Sequence, residues 1–211
     1  MNYNKEKLEE LKEIYKDIKN KIDERLKEFE NIKKNGSEED FIFEFIFCLL
    51  TPQSKAKMCD KAVQNLRNNF NNPNFDSYLF GVRFKNKKAI YIKEFLEKIK
   101  KYKSFKDLIL SFENDEQRRE FLIKNFRGMG LKEASHFLRN IGFGENLAIL
   151  DRHVLKNLKD ISIIEEIPKS LSYKKYKEIE NKMREFSKEI DIDMRSLDFI
   201  LWYKETKEVF K

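Results

Sequence analysis

Cysteine is scarce in this chain: 211 residues contain only Cys48 and Cys59. Secreted disulfide scaffolds need more of them. A four-cysteine iron–sulfur cluster or zinc site cannot be built at all. Long apolar runs are missing as well. FIFEFIFCLL at 41–50 is ten residues long and carries Glu44, against the roughly 20 apolar residues of a membrane helix. It reads as a buried helix, and no membrane partner is expected. Met1 is followed by mixed acidic and basic residues rather than by the apolar stretch of a secretion signal, so the expected compartment is the cytoplasm. No Asn-Gly or Asp-Gly pair sits between alternating apolar runs, which leaves little or no room for sheet. No internal repeat or low-complexity linker divides the chain.

What is present is charge and helical periodicity. Hydrophobic residues make up 40% and charged residues 38%, with a formal net charge of +7. That excess points weakly to a polyanionic partner, and the lysines are largely interleaved with glutamates. Leu8, Leu11, Tyr15, Ile18, Ile22, Leu26 and Phe29 recur at three- and four-residue steps and predict one helix over 5–34. A coiled coil is the competing reading, but the run lasts little more than three heptads before Asn35-Gly36.

Ser37-Glu-Glu-Asp40 has the form of a helix-start box, and Thr51-Pro52 ends the Phe-rich helix it opens. Met58, Ala62 and Leu66 mark another helix, closed by an Asn-rich loop at 68–74 that contains Pro73. Further helices are predicted from Lys85 to about Lys101 and at 105–112, 115–126, 131–141, 173–190 and 194–208. Ser104, Ser172 and Asp193 stand as start signals. The expected fold is all-α with two lobes.

Glycine is also sparse, and four of the six glycines fall between 128 and 144. Arg127-Gly-Met-Gly130 is all that joins the helices at 115–126 and 131–141. So short a hairpin needs the conformational freedom of glycine. The amides of Gly128, Gly130 and Leu131 then lie at a helix start, where unsatisfied N–H groups and the helix dipole favour an anion such as a DNA phosphate. An ordinary interhelical turn is the alternative.

On the helix that follows, Leu131, Ala134, Leu138 and Ile141 form an apolar stripe. Lys132, His136 and Arg139 share another face, which would display Lys132 beside the anion site. Nineteen residues after Lys132 comes Asp151, in Asp-Arg-His153, placed as an N-cap.

The pattern Gly128-X-Gly130-X-Lys132, with Asp151 and His153 downstream, resembles the helix-hairpin-helix DNA glycosylase superfamily. Within it, GMGLKEASHFLRNIG and the ending WYKETKEVFK resemble the prokaryotic Ogg family of 8-oxoguanine DNA glycosylases/AP lyases. The similarity extends over most of the chain. Arg127 stands where the common Leu-Pro-Gly-Val-Gly hairpin has proline, and the iron–sulfur cysteines of the endonuclease III and adenine-glycosylase branches are lacking.

The resemblance implies a two-lobed fold with a DNA-binding cleft. The hairpin lobe would comprise 1–40 and 122–211, and a second lobe 41–121. It implies excision of 8-oxoguanine from damaged double-stranded DNA by a monomer that needs no metal or cofactor. Lys132 would be the Schiff-base nucleophile, which must attack as the neutral amine. Asp151 would stabilise the positive charge that builds on the deoxyribose. His153 would contact a phosphate, unless it is a buried structural histidine. The turn LLTPQSKA would supply Gln53 as a wedge into the base stack, with Arg83 and Phe84 as further candidates; a plain turn and a core phenylalanine are the competing readings. Asp198 and Trp202, four apart on the last helix, could face the extruded purine.

The C-terminal carboxylate of Lys211 could accept the N7–H that 8-oxoguanine has and guanine lacks; otherwise it is a solvated tail. Two other functions remain open: the same scaffold acting on another lesion, and a non-catalytic DNA-binding module. The module would need the glycines but neither Lys132 nor Asp151 in register.

Overall fold

In a computed structural model the described residues are 3–70 and 75–211. Asn71–Asn74, with Pro73 and most of the expected loop at 68–74, lie outside them. Among the described residues there are ten α-helices and no strand. They are α1 (Lys5–Asn35), α2 (Glu38–Leu50), α3 (Ala56–Asn68), α4 (Lys85–Ile99), α5 (Phe105–Leu110), α6 (Asp115–Asn125), α7 (Leu131–Asn140), α8 (Arg152–Asp160), α9 (Tyr173–Glu189) and α10 (Met194–Thr206), with a short 3-10 turn at Phe75–Tyr78. No helix among these residues is long and apolar enough to cross a membrane.

The start signals act as expected. Ser37 and Asp40 form a reciprocal capping box at α2. Ser104, Ser172 and Asp193 cap α5, α9 and α10 through their side chains.

The chain divides into two compact units. One comprises Glu30–Gly142, the other the residues up to Phe29 together with Phe143–Lys211. This differs from a division at 40 and 122, because the hairpin helices pack with Glu30–Gly142. In that unit α2 is buried all round from Phe41 to Leu50. The Phe45 ring stacks on Phe95 at 3.9 Å and meets Phe105, Phe126 and Phe137 edge-on at 5.6, 5.1 and 5.6 Å. Such aromatic pairs add to the area they bury. Phe126 ends α6 and Phe137 lies on α7, so one aromatic cluster fixes both arms of the hairpin. Glu44, the one charge in the apolar run, accepts a hydrogen bond from Asn140 Nδ2 at 2.7 Å, which offsets the cost of burying it.

In the other unit α1 buries Leu11, Ile18, Ile22, Leu26 and Phe29, one per turn. The stripe therefore packs on its own chain, as the short-heptad argument expects. Phe29 stacks on Phe199 of α10 at 6.3 Å, and Lys204 pairs with Glu10 at 3.1 Å.

Candidate active site

The hairpin is as tight as its glycines imply. Gly128 has φ +89°, and a Cβ added there would lie 2.6 Å from the Tyr91 ring. Both the backbone angle and the close approach demand glycine at this position. Gly130 starts α7 with extended backbone. Its N–H donates to Glu133 Oε2 at 3.2 Å, so a carboxylate of the chain itself occupies one amide of the expected anion site.

The second face of α7 is not displayed as the spacing suggested. His136 and Arg139 are buried. His136 meets Phe47 edge-on at 5.7 Å, and Arg139 Nε donates to Asn140 Oδ1 at 3.1 Å. The reason is that α7 is enclosed by α2 and α6, so only its first turn reaches the surface. Lys132 lies there with its side chain 20% exposed. Its Nζ donates to Thr51 Oγ1 at 3.3 Å and sits 3.6 Å from Glu133 Oε1.

Thr51 belongs to the turn between α2 and α3 that carries Gln53. Ser54 N–H donates to Thr51 O at 3.0 Å and closes that turn. Gln53 is exposed, with φ +57°. Phe84 is also at φ +57°, is 57% exposed and caps the start of α4, so it is not a core residue. Arg83 lies against it, its guanidinium 5.5 Å from the ring centre. Non-glycine residues in the left-handed region cost on the order of 1–3 kcal/mol each and persist only where the surroundings impose them.

Here the surroundings are Lys88, which is only 5% exposed. Its Nζ donates to Leu50 O at 2.6 Å, Pro52 O at 2.7 Å and Ser54 Oγ at 3.1 Å. Ser54 Oγ also accepts Arg83 N–H at 3.0 Å. The structure thus gathers Lys132, Gln53, Arg83 and Phe84 around one turn of the unit Glu30–Gly142.

In the other unit Asp151 caps α8 by accepting Val154 N–H through Oδ1 at 2.8 Å. The segment before it is held from α9. Tyr176 Oη donates to Ala148 O at 2.7 Å and accepts Leu150 N–H at 3.2 Å. Buried Glu180 accepts Ala148 N–H at 2.8 Å. His153 is not the buried histidine of the competing reading, since its side chain is 44% exposed. It meets Trp202 edge-on at 5.2 Å and lies 3.9 Å from Glu205 Oε2. Lys156 pairs with the same Glu205 at 2.9 Å.

Asp198 is buried, whereas Trp202 is half-buried. So of that pair only the tryptophan reaches an accessible face. α10 stops at Thr206, earlier than the expected 208, with Lys207 at φ +59° as its cap. The last residues leave the helix, and Lys211 is half-buried rather than fully solvated.

Sequence reasoning missed Thr51, Lys88, Glu133, Tyr176 and Glu180. The spacing of Tyr176 and Glu180 places them on one helical face, but nothing local says which segment that face clasps. Lys88 was hidden among the lysines of α4.

Comparison with known proteins adds a family. The family model described as 8-oxoguanine DNA glycosylase matches residues 22–192. A protein of Fusobacterium nucleatum named 8-oxoguanine DNA glycosylase/AP lyase is 46% identical over 209 residues, covering 96% of each chain. The crystal structure of the Methanocaldococcus jannaschii 8-oxoguanine glycosylase/lyase, in complex with a 15mer DNA containing 8-oxoguanine, has a TM-score of 0.85 at 39% identity over 98% of each chain. The 8-oxoguanine DNA glycosylase of Thermotoga maritima has a TM-score of 0.88 at 35% identity, covering 98% of this chain and 99% of its own.

The buried lysine makes stability depend on pH. Burial pushes the Lys88 ammonium from its ordinary 10.5 down to about 8; Lys132 and Arg83 press the same way, and Cys59 and Glu133 oppose. Below about 8 both folded and unfolded chains hold the proton. Between about 8 and 10.5 only the unfolded chain does, so this group makes stability rise with pH across that window. The Cys59 thiol, pushed by burial from 9.0 up to about 11, works in the opposite sense at the upper end. The urea midpoint of the parent, measured relative to Lys88→Met, is expected to climb between pH 8 and 10.5. A pH-independent difference between the two proteins would mean that Lys88 keeps its ordinary proton affinity.

Proposed function

The chain belongs to the 8-oxoguanine DNA glycosylase family, and from that premise we propose that it excises 8-oxoguanine from duplex DNA and nicks the abasic site it creates. The observation that carries this reading is Lys132 at the start of α7, mostly enclosed and aimed by Thr51 Oγ1 at 3.3 Å. An amine held in one place is better positioned to attack a bound sugar than a freely moving surface lysine is.

In this reading the hairpin receives a backbone phosphate, which takes the place of the Glu133 carboxylate at the Gly130 amide. Contacts of that kind position DNA without reading its sequence. Gln53 and the Arg83–Phe84 pair fill the gap left when the lesion is turned out of the stack. Trp202 stacks on the extruded purine, and the carboxylate of Lys211 accepts its N7–H. The bond from C1′ to the base breaks, and Asp151 stabilises the positive charge on the sugar. The amine nitrogen of Lys132 bonds to C1′ and gives up a proton, which the departing base takes. The C1′–O4′ bond then breaks as the second N–H proton moves to O4′, leaving a Schiff base, and loss of a proton from C2′ expels the 3′ phosphate. His153 supports a neighbouring phosphate. The enzyme works in this way as a cytoplasmic monomer, without metal or cofactor.

Lys132→Gln is expected to bind lesion-containing duplex but to lose both borohydride trapping and strand nicking. Normal trapping by the variant would take Lys132 out of the chemistry.

Asp151→Asn keeps a capping side chain without the charge. Its thermal stability should stay near that of the parent, while single-turnover base excision falls by at least about 100-fold, the scale of losing one strong electrostatic stabiliser. Loss of stability with no separate loss of excision would leave Asp151 as a cap alone.

Deleting Lys211 draws the terminal carboxylate back by up to about 3.5 Å, beyond hydrogen-bond reach. Excision of 8-oxoguanine should drop roughly ten- to a hundredfold for the unpaired N7–H, and nicking of a preformed abasic site much less. Equal rates for parent and deletion on 8-oxoguanine would move lesion recognition away from the chain end.

A further inference from the structure

Lys88 is buried, charged and absent from the chemistry just described, yet it touches every segment that carries a wedge candidate. Its three side-chain donors meet three acceptors: Leu50 O, Pro52 O and Ser54 Oγ, at 2.6, 2.7 and 3.1 Å. Leu50 O ends α2, where carbonyls have no partner inside the helix and the dipole favours a cation. Pro52 and Ser54 flank Gln53. Lys88 N–H donates to Phe84 O at 3.0 Å in the first turn of α4, and Ser54 Oγ accepts Arg83 N–H. The ammonium thus holds both flanks of Gln53 directly, and it reaches the Arg83–Phe84 segment through Ser54 Oγ; Gln53 and Phe84 are both exposed and both at φ +57°.

We propose that Lys88 is a positioning residue for lesion extrusion: it locks the Gln53 turn to the Arg83–Phe84 segment, so that both enter the DNA stack as one rigid wedge. The proposal rests on the reading of Gln53, Arg83 and Phe84 as that wedge. Strain at two adjoining positions is what a pre-formed insertion device requires, since residues that relaxed before contact would have to be re-ordered on the DNA. The nucleophile is less dependent on Lys88. Thr51, which aims Lys132, is fixed by α2 itself. Its hydroxyl donates to Cys48 O at 2.8 Å, and its N–H donates to Phe47 O at 3.2 Å. Removing Lys88 should therefore separate base extrusion from amine chemistry.

The test compares the parent with Lys88→Met, Ser54→Ala and the double variant Gln53→Ala/Phe84→Ala. Two reactions are measured: single-turnover excision of 8-oxoguanine from duplex DNA, and borohydride trapping on a single strand carrying an abasic site, where there is no stack to open. Lys88→Met is expected to slow duplex excision roughly ten- to a hundredfold, the scale of displacing a group by about 1 Å. Trapping on the single strand should stay within about threefold of the parent, because the nucleophile keeps its geometry. Ser54→Ala, which cuts the link to Arg83 and leaves the ammonium two of its three acceptors, should show the same split to a smaller degree. It decides the matter if Lys88→Met fails to fold.

Duplex excision at the parent rate in the folded variants overturns the proposal, as does a loss of trapping equal to the loss of excision. If the double variant excises like the parent, the wedge reading itself fails and the proposal with it. If the double variant is slow while Lys88→Met is not, the wedge stands and only the role of Lys88 falls.

Discussion

The carbonyl end of α2 is the constraint on which the candidate site depends. This helix is buried all round from Phe41 to Leu50, so it lies inside the unit Glu30–Gly142 and cannot turn its last carbonyls to water. They are met instead by side chains. The Thr51 hydroxyl donates to Cys48 O, while the Cys59 thiol and the Lys88 ammonium both donate to Leu50 O. Each of these groups has a second connection. Thr51 receives Lys132, Cys59 starts the buried side of α3, and Lys88 reaches Pro52 and Ser54. Satisfying one buried helix end therefore also positions Lys132 and the exposed turn beside it.

The hairpin shows the same economy with charge. Glu133 closes the start of α7 by accepting Gly130 N–H, and it also pairs with Lys132. A helix start attracts anions, and in the protein by itself the anion is a residue of the same helix. An arriving phosphate would meet amides already arranged around a carboxylate rather than amides left bare. The same exchange would part Glu133 from Lys132.

The unit holding Asp151 uses a different device. Past Gly142 and Gly144, both at positive φ, Tyr176 and Glu180 grip both polar groups of Ala148 and the N–H of Leu150 from α9. Such buried hydrogen bonds contribute roughly 1 kcal/mol each, and a buried partner left unpaired costs more than that. The segment thus has one low-energy path, and Asp151 emerges from it at a defined cap.

Much of this was legible in the order of residues. Helix periods, the caps at Ser37, Ser104, Ser172 and Asp193 and the glycine requirement at 128 are local facts, set by three- and four-residue spacings and backbone sterics. The matching family motifs were legible for the same reason. What no local rule could supply is enclosure. His136 and Arg139 look displayed on a helical wheel but are buried, because α2 and α6 close over α7. Phe84 could have been core but is exposed. Lys88 is one of many lysines along α4 until folding brings the end of α2 to it. Spacing along a chain decides which residues share a face; only packing decides what that face meets, since the partners come from segments far away in sequence and the cost of burial depends on all of them together.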